Sequence, residues 1–269
     1  MQVKSLWLGR MRAPIKMAMI GFVGLTVVLY ALLVGQRLFL EDSYGMYEMI
    51  RPAGRPMVQV MLISLVAALL FASLFLSDTK GAIETPPEGF FDLVSVVLGR
   101  LSMIMTAFVV LVMFYEVVSR YVFSRPTLWA NELSLWIAAF VFLLAGLYAM
   151  QQRSHIRIYI IYNMMPRWAQ KTSDTIGVLL IVGFTFALVW GGYSDAAKRF
   201  VRMETFGTAW DPPIPGIIKP AILLIIVLVA IQAVSNLIAD WNKDPEAYTP
   251  MDDIDETEIA NIRATLHKD

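Results

Sequence analysis

The sequence predicts an all-α integral membrane protein of six transmembrane helices, with a short interfacial helix between the fourth and fifth spans. Three observations carry that expectation. Of 269 residues, 58% are hydrophobic and only 16% are charged, with a mean hydropathy of +0.62; an ordinary soluble domain is about 45–50% apolar and about 25% charged. Six stretches are apolar over the roughly 20 residues a helix needs to cross a bilayer. None shows the alternating polarity of the ~10-residue strands of an outer-membrane barrel, so the excess apolar surface is expected to face membrane lipids.

The first stretch, 17–35, is uncharged and follows Lys4, Arg10, Arg12 and Lys16. It is longer than the apolar region of a secretory signal and no small-x-small site follows it, so it is expected to stay as a span. The second, 57–77, is also uncharged. The third, 101–115, extends to about residue 123 once Glu116 and Arg120 are admitted. The stretches 133–150, 175–194 and 220–239 complete the set, again without charge. Gly21, Gly24, Gly146, Gly177, Gly183, Gly191 and Gly192 fall within or beside spans, where small residues mark close helix contact.

The connections divide the chain. Residues 1–80 hold a two-span extension, and 81–92 (GAIETPPEGFFD) form a linker with an expected hinge at Pro86–Pro87. Residues 93–241 hold the last four spans, and 242–269 form an acidic tail. Within that tail Ile254, Ile259, Ile262 and Leu266 would line one stripe if it were helical; a solvated tail and a docking helix for a partner both fit. Residues 153–171 (RSHIRIYIIYNMMPRWAQK) read as the interfacial helix, with Tyr159, Tyr162 and Trp168 at headgroup depth. Counting from a cytoplasmic N-terminus, 13 of the 22 Lys and Arg fall on the cytoplasmic side. Both termini are therefore expected in the cytoplasm.

Several chemistries are excluded. Lys+Arg and Asp+Glu are both 22, so no net field points to nucleic acid as a partner. Cysteine is absent, which removes disulfides, thiolate ligands and a Cys nucleophile. His155 and His267 are the two histidines; one is interfacial and the other lies in the tail, so they cannot supply the facing axial pair of an intramembrane haem. No phosphate-binding glycine loop, G-x-S-x-G or H-E-x-x-H occurs. No catalytic, substrate-binding or metal-ligating residue and no cofactor is expected.

The residues singled out are structural or partner-interface candidates. Glu116 and Arg120 are four apart in the favourable order for a helical ion pair. Either they form a local pair at the membrane boundary, or Arg120 reaches Glu132 or a partner subunit and sets the angle between the third and fourth spans. Trp129 suits an aromatic belt, Asn131 an N-cap, and Glu132 the positive end of the fourth helix. His155, between Arg153 and Arg157, suits a hydrogen bond, a lipid headgroup or a subunit contact.

Three segments carry a resemblance: EVVSRYVFSRPTLWANEL at 116–133, WIAAFVFLLAGLYAMQQRSHIRIYIIYNMMP at 136–166, and METFGTAWDPPIPGIIKPAILLIIVLVAIQAVSNLI at 203–238. In order and at this spacing, they resemble the small membrane subunit, the DctQ-like component, of tripartite ATP-independent periplasmic (TRAP) transporters over about 94–241. The resemblance implies a four-helix DctQ-like bundle in a bacterial inner membrane. It further implies a large DctM-like membrane subunit that carries substrate and sodium, and a periplasmic DctP-like protein that captures a carboxylate or sulfonate. The two spans before residue 80 depart from the family's four-span pattern. The expected role is an accessory scaffold subunit; the alternative is a membrane anchor of a redox enzyme, whose mark would be intramembrane histidines. Interior hydroxyls are sparse, chiefly Ser64, Ser73, Thr106 and Thr185, and are expected to make ordinary helix–helix bonds.

Overall fold

Long apolar runs bounded by Pro, Gly and charge become long helices. The structure, a computed structural model, describes residues 5–39, 44–81, 84–153, 162 and 164–243. A 3-10 turn, Gly9–Met11, leads into α1 (Arg12–Phe39). A single turn, α2 (Met46–Met49), precedes α3 (Pro56–Ser77). Then come α4 (Phe90–Tyr121), α5 (Ala130–Gln151), α6 (Arg167–Val201) and α7 (Ile214–Asp240). All except α2 are long and apolar enough to cross a membrane, giving six candidate spans.

The helices outrun the apolar stretches. α4 begins at Phe90 rather than near 101, α6 covers 35 residues, and α7 begins well before Pro220. Hydropathy registers only the lipid-exposed middle, whereas the backbone ladder continues into the headgroup layer wherever a side chain can pair its charge. Proline serves as an entry device: Pro56 opens α3, and Pro166 and Pro213 precede α6 and α7. The first-turn N–H that proline lacks would have no helical partner there.

Of the expected interfacial helix, residues 154–161 and 163, with His155 and Tyr159, lie outside the described residues. Its last part, from Arg167, forms the first turns of α6. Tail residues 244–269 also lie outside the described residues.

Neighbouring helices pack in the order α1, α3, α4, α5, α7, α6, with α4 also touching α7. Leu144, Leu147 and Ile225 are buried between α5 and α7, and Leu98, Leu101 and Met105 of α4 close over them. At the other end of the row, Leu33 of α1 packs with Val58 and Met61 of α3. Phe22 and Phe71 stack at 5.5 Å, and Thr26 and Ser64 share a hydroxyl hydrogen bond of 2.9 Å. Only 6% of the apolar stretch of α1 and of α6 is buried, against 22–28% in the other four. These two are therefore the edge helices.

Two end faces result. The terminal face carries Ser5 and Lys243 with the starts of α1, α4 and α6; the distal face carries the starts of α3, α5 and α7. At the terminal face Asp78, fully buried, accepts at Oδ1 from the backbone N–H of Leu6, Trp7 and Leu8 and the Ser5 hydroxyl, at 2.8–2.9 Å. Arg12 sits 3.1 Å from its other oxygen. Burial pushes the Asp78 carboxyl up, and these donors together with Arg12 outweigh it and hold it below its ordinary value. The segment 5–12 is thereby stapled to the end of α3.

Candidate functional site

At the distal face the carboxylate of Glu116 closes the end of α4. It is 3% exposed. Its Oε1 accepts Arg120 Nε at 2.9 Å and Nη2 at 2.5 Å, one turn along the same helix. Its Oε2 accepts the Thr127 N–H at 3.0 Å and also the Thr127 hydroxyl. A carboxylate with four donors is saturated, so Glu116 pins the loop leading into α5. The loop is tightened further where Ser119 donates to the Arg125 carbonyl at 2.5 Å. Trp129 stacks on Tyr115 of α4 with ring centroids 5.7 Å apart, which gives it an intramolecular partner.

The structure brings Glu116 and Arg120 together, while Glu132 accepts instead from the Thr208 hydroxyl at 2.6 Å. Thr208 belongs to the α6–α7 connector, so Glu132 joins the start of α5 to that loop. Asn131 is not the N-cap. α5 begins two residues earlier than such a cap would place it, with Trp129 in the cap position, and the Thr127 hydroxyl accepts the Ala130 N–H at 3.3 Å. The helix starts early because Glu116 already holds Thr127 beside it. His155 lies outside the described residues.

A second cluster, which no sequence motif announces, lies at the terminal face. Arg100 lies inside α4 at 9% exposure. It donates to Glu84 through Nη1 at 2.7 Å and Nη2 at 2.5 Å, and from Nη2 to the Thr79 carbonyl at 3.0 Å. Glu84 also accepts the Tyr148 hydroxyl of α5 at 2.7 Å and the Gly81 N–H at 2.8 Å. Burial pushes the Glu84 carboxyl up, but the bonds from Arg100, Gly81 and Tyr148 outweigh it and bring it down to about 2. Gly99 makes the geometry possible: a Cβ there would stand 2.4 Å from the Tyr148 ring. The available signal was an arginine adjoining a span with an acid in the preceding linker, since an ion at that depth requires a partner.

Beside this cluster Gln232 of α7 donates to Asp92 at 2.7 Å and to Asn236 at 2.8 Å, and accepts from Ser95 at 2.8 Å. Asn236 donates to the Met150 carbonyl at 2.7 Å, joining α4, α5 and α7. Arg153 forks onto Asp240 at 2.6 and 2.8 Å. Each of these acids is committed to donors of the same chain, an arrangement suited to fixing helix angles. Among the described residues no three His, Cys, Asp or Glu side chains gather as a metal site would need.

Part of these clusters (Glu116, Thr127, Tyr148, Arg153, Gln232, Asn236 and Asp240) lies in the half of the chain that matches known proteins, whereas Glu84, Asp92, Ser95 and Arg100 precede it. The family model described as "Tripartite ATP-independent periplasmic transporters, DctQ component" matches residues 109–243, from the middle of α4 to just past α7. The chain belongs to the DctQ component family. A C4-dicarboxylate TRAP transporter small permease protein DctQ from Vibrio cholerae is 22% identical over 138 residues, 51% of this chain and 52% of that protein. A sialic acid TRAP transporter permease protein SiaT from Haemophilus influenzae is 27% identical over 98 residues, 35% of this chain and 16% of that protein. The DctQ-family chain thus spans about half the length of the first curated relative and less of the second. No solved structure matches. The hairpin of α1 and α3 precedes the matched region.

Proposed function

We propose that this DctQ-family chain is the accessory scaffold subunit of a TRAP-type secondary transporter in a bacterial inner membrane. It anchors a large DctM-like subunit that imports a small organic anion, a carboxylate or sulfonate, with sodium, after capture by a DctP-like periplasmic protein. The terminal face is cytoplasmic in this reading, following the Lys and Arg excess on that side. Residues 93–241 form the unit that meets the large subunit, with 1–80 as an addition across the linker at 81–92.

The observation that carries the reading is the continuity of the spans. Sodium needs several oxygen ligands, and organic anions are bound at half-helix N-termini of broken spans. Here each of the six long helices runs unbroken. Ser73 and Thr106 donate to carbonyls of their own helices at 2.7 and 2.9 Å, and Ser64 is held by Met61 and Thr26. Thr185 of α6 is buried, and its hydroxyl has no hydrogen-bond partner among the described residues. A redox anchor lacks support, since both histidines lie outside the spans.

Replacing Ser64, Ser73, Thr106 and Thr185 singly by Ala, in the complete complex reconstituted into vesicles, should leave the apparent affinities for sodium and substrate unchanged. A several-fold shift in sodium dependence from any one of them refutes the scaffold reading.

A further inference from the structure

The hairpin and the α6–α7 connector meet at the distal face. Trp210, 3% exposed, donates its indole N–H to the Met46 carbonyl at 2.9 Å. Met46 opens α2, at the tip of the hairpin. Arg51, a turn further on, lies over the Tyr47 ring at 4.0 Å and donates to Asp211 Oδ2 at 3.3 Å. The other Asp211 oxygen accepts the Gly207 N–H at 2.8 Å.

The connector needs such support. Asp211 sits in the left-handed region at φ 58°, where a residue with a Cβ is strained. A strained residue persists only where its surroundings over-determine it. Part of that surrounding is the connector's own: Phe206 N–H donates to the Pro212 carbonyl at 3.0 Å. The remainder comes from Arg51 and from the hairpin tip lying against Trp210. The hairpin is itself held at its far end, where Arg100 grips Thr79 and Glu84. It therefore reaches the connector as a braced arm fixed at both faces.

We infer that the N-terminal hairpin is a brace for the α6–α7 connector: the surface formed by Trp210 and Asp211 is an interaction surface whose partner is this chain's own hairpin tip. The brace keeps Thr208 beside Glu132 and sets the entry of α7 into the bundle. The tryptophan and aspartate belong to the segment that carries the family resemblance, while their partners belong to the extension that departs from it. This role does not depend on the scaffold reading, since it concerns contacts within one chain.

The chain's lack of cysteine makes the test direct. A single cysteine at Ile214, 9% exposed at the start of α7, reports connector opening by its rate of reaction with a maleimide in the purified full-length chain. Trp210→Phe, which keeps an aromatic ring and deletes the indole donor, and Arg51→Met should each raise that rate several-fold. Asp211→Asn should match Arg51→Met, and the Arg51→Met/Asp211→Asn double variant should exceed neither. Arg51→Lys, which keeps a cation beside Asp211, should restore most of the protection. Gln59→Ala, on the exposed side of α3, should leave the rate unchanged. The inference is overturned if Arg51→Met and Trp210→Phe leave the rate unchanged, or if Gln59→Ala raises it equally. Additive effects of Arg51→Met and Asp211→Asn overturn it too.

Discussion

Replacing Glu84 by Gln tests whether the terminal-face cluster locks the linker to the bundle. The change keeps the side chain's shape but removes its charge and one of the two oxygens Arg100 donates to, leaving Arg100 buried without its counter-ion. Glu84 lies at about 2 against an ordinary 4.5. At about 1.4 kcal/mol per unit, the carboxylate contributes on the order of 3 kcal/mol at neutral pH. That figure is a ceiling, because the side chain keeps 18% of its exposure. A depressed carboxyl stabilises fully above its unfolded value and loses that contribution as pH falls through its folded value. The gap between wild type and Glu84→Gln should therefore be full above about pH 5 and close as pH falls towards 2. Thermal melting of the purified complex in detergent, run in parallel for both proteins across that range, reads the gap directly. Tyr148→Phe should cost no more than that, about 1.5–3 kcal/mol for one hydrogen bond to a charged group. Gly99→Ala should destabilise through the Tyr148 ring. A gap under about 0.5 kcal/mol at pH 7, within the range of an ordinary surface change, refutes the lock. So does a gap that persists undiminished at pH 2.

Three further outcomes are expected. Arg120→Ala should lower the melting temperature measurably, and Glu116→Gln should lower it more, because Glu116 also holds Thr127; an unchanged profile for Arg120→Ala would make it a solvated surface residue. Deleting residues 1–80 should leave the 93–241 unit able to co-purify with the large membrane subunit, and loss of that partner would place the extension in the primary interface. A reporter active only in the periplasm should be silent when fused after Asp269 and active in the loops near Asp42 and near Phe206. Activity after Asp269 would mean an odd number of spans.

The number of spans and the membrane setting were legible in the residues because apolarity is local: each window of a span reports its own preference for lipid whatever lies beside it. The likeness to the DctQ component was legible for a related reason, since its motifs are short runs at fixed order. Pairing is not local. Nothing near Arg100 in the chain says that Glu84 folds back to it with Tyr148 arriving from α5, and nothing near Glu132 names Thr208, distant in sequence, as its donor. Asn131 was a plausible cap by residue type, yet the cap position went to Trp129 because a buried carboxylate one helix away had already fixed Thr127. Hydropathy could not place the helix ends either, since a charged residue ends an apolar run without ending a hydrogen-bonded helix. The largest difference concerns the first 80 residues. As a sequence they form an apolar pair of spans before a proline linker; in three dimensions Trp210, Asp211, Arg100 and Glu84 tie that pair to the bundle at both faces. Polar groups drawn into packed regions need hydrogen-bond partners, these partners come from distant parts of the chain, and only the folded chain decides which.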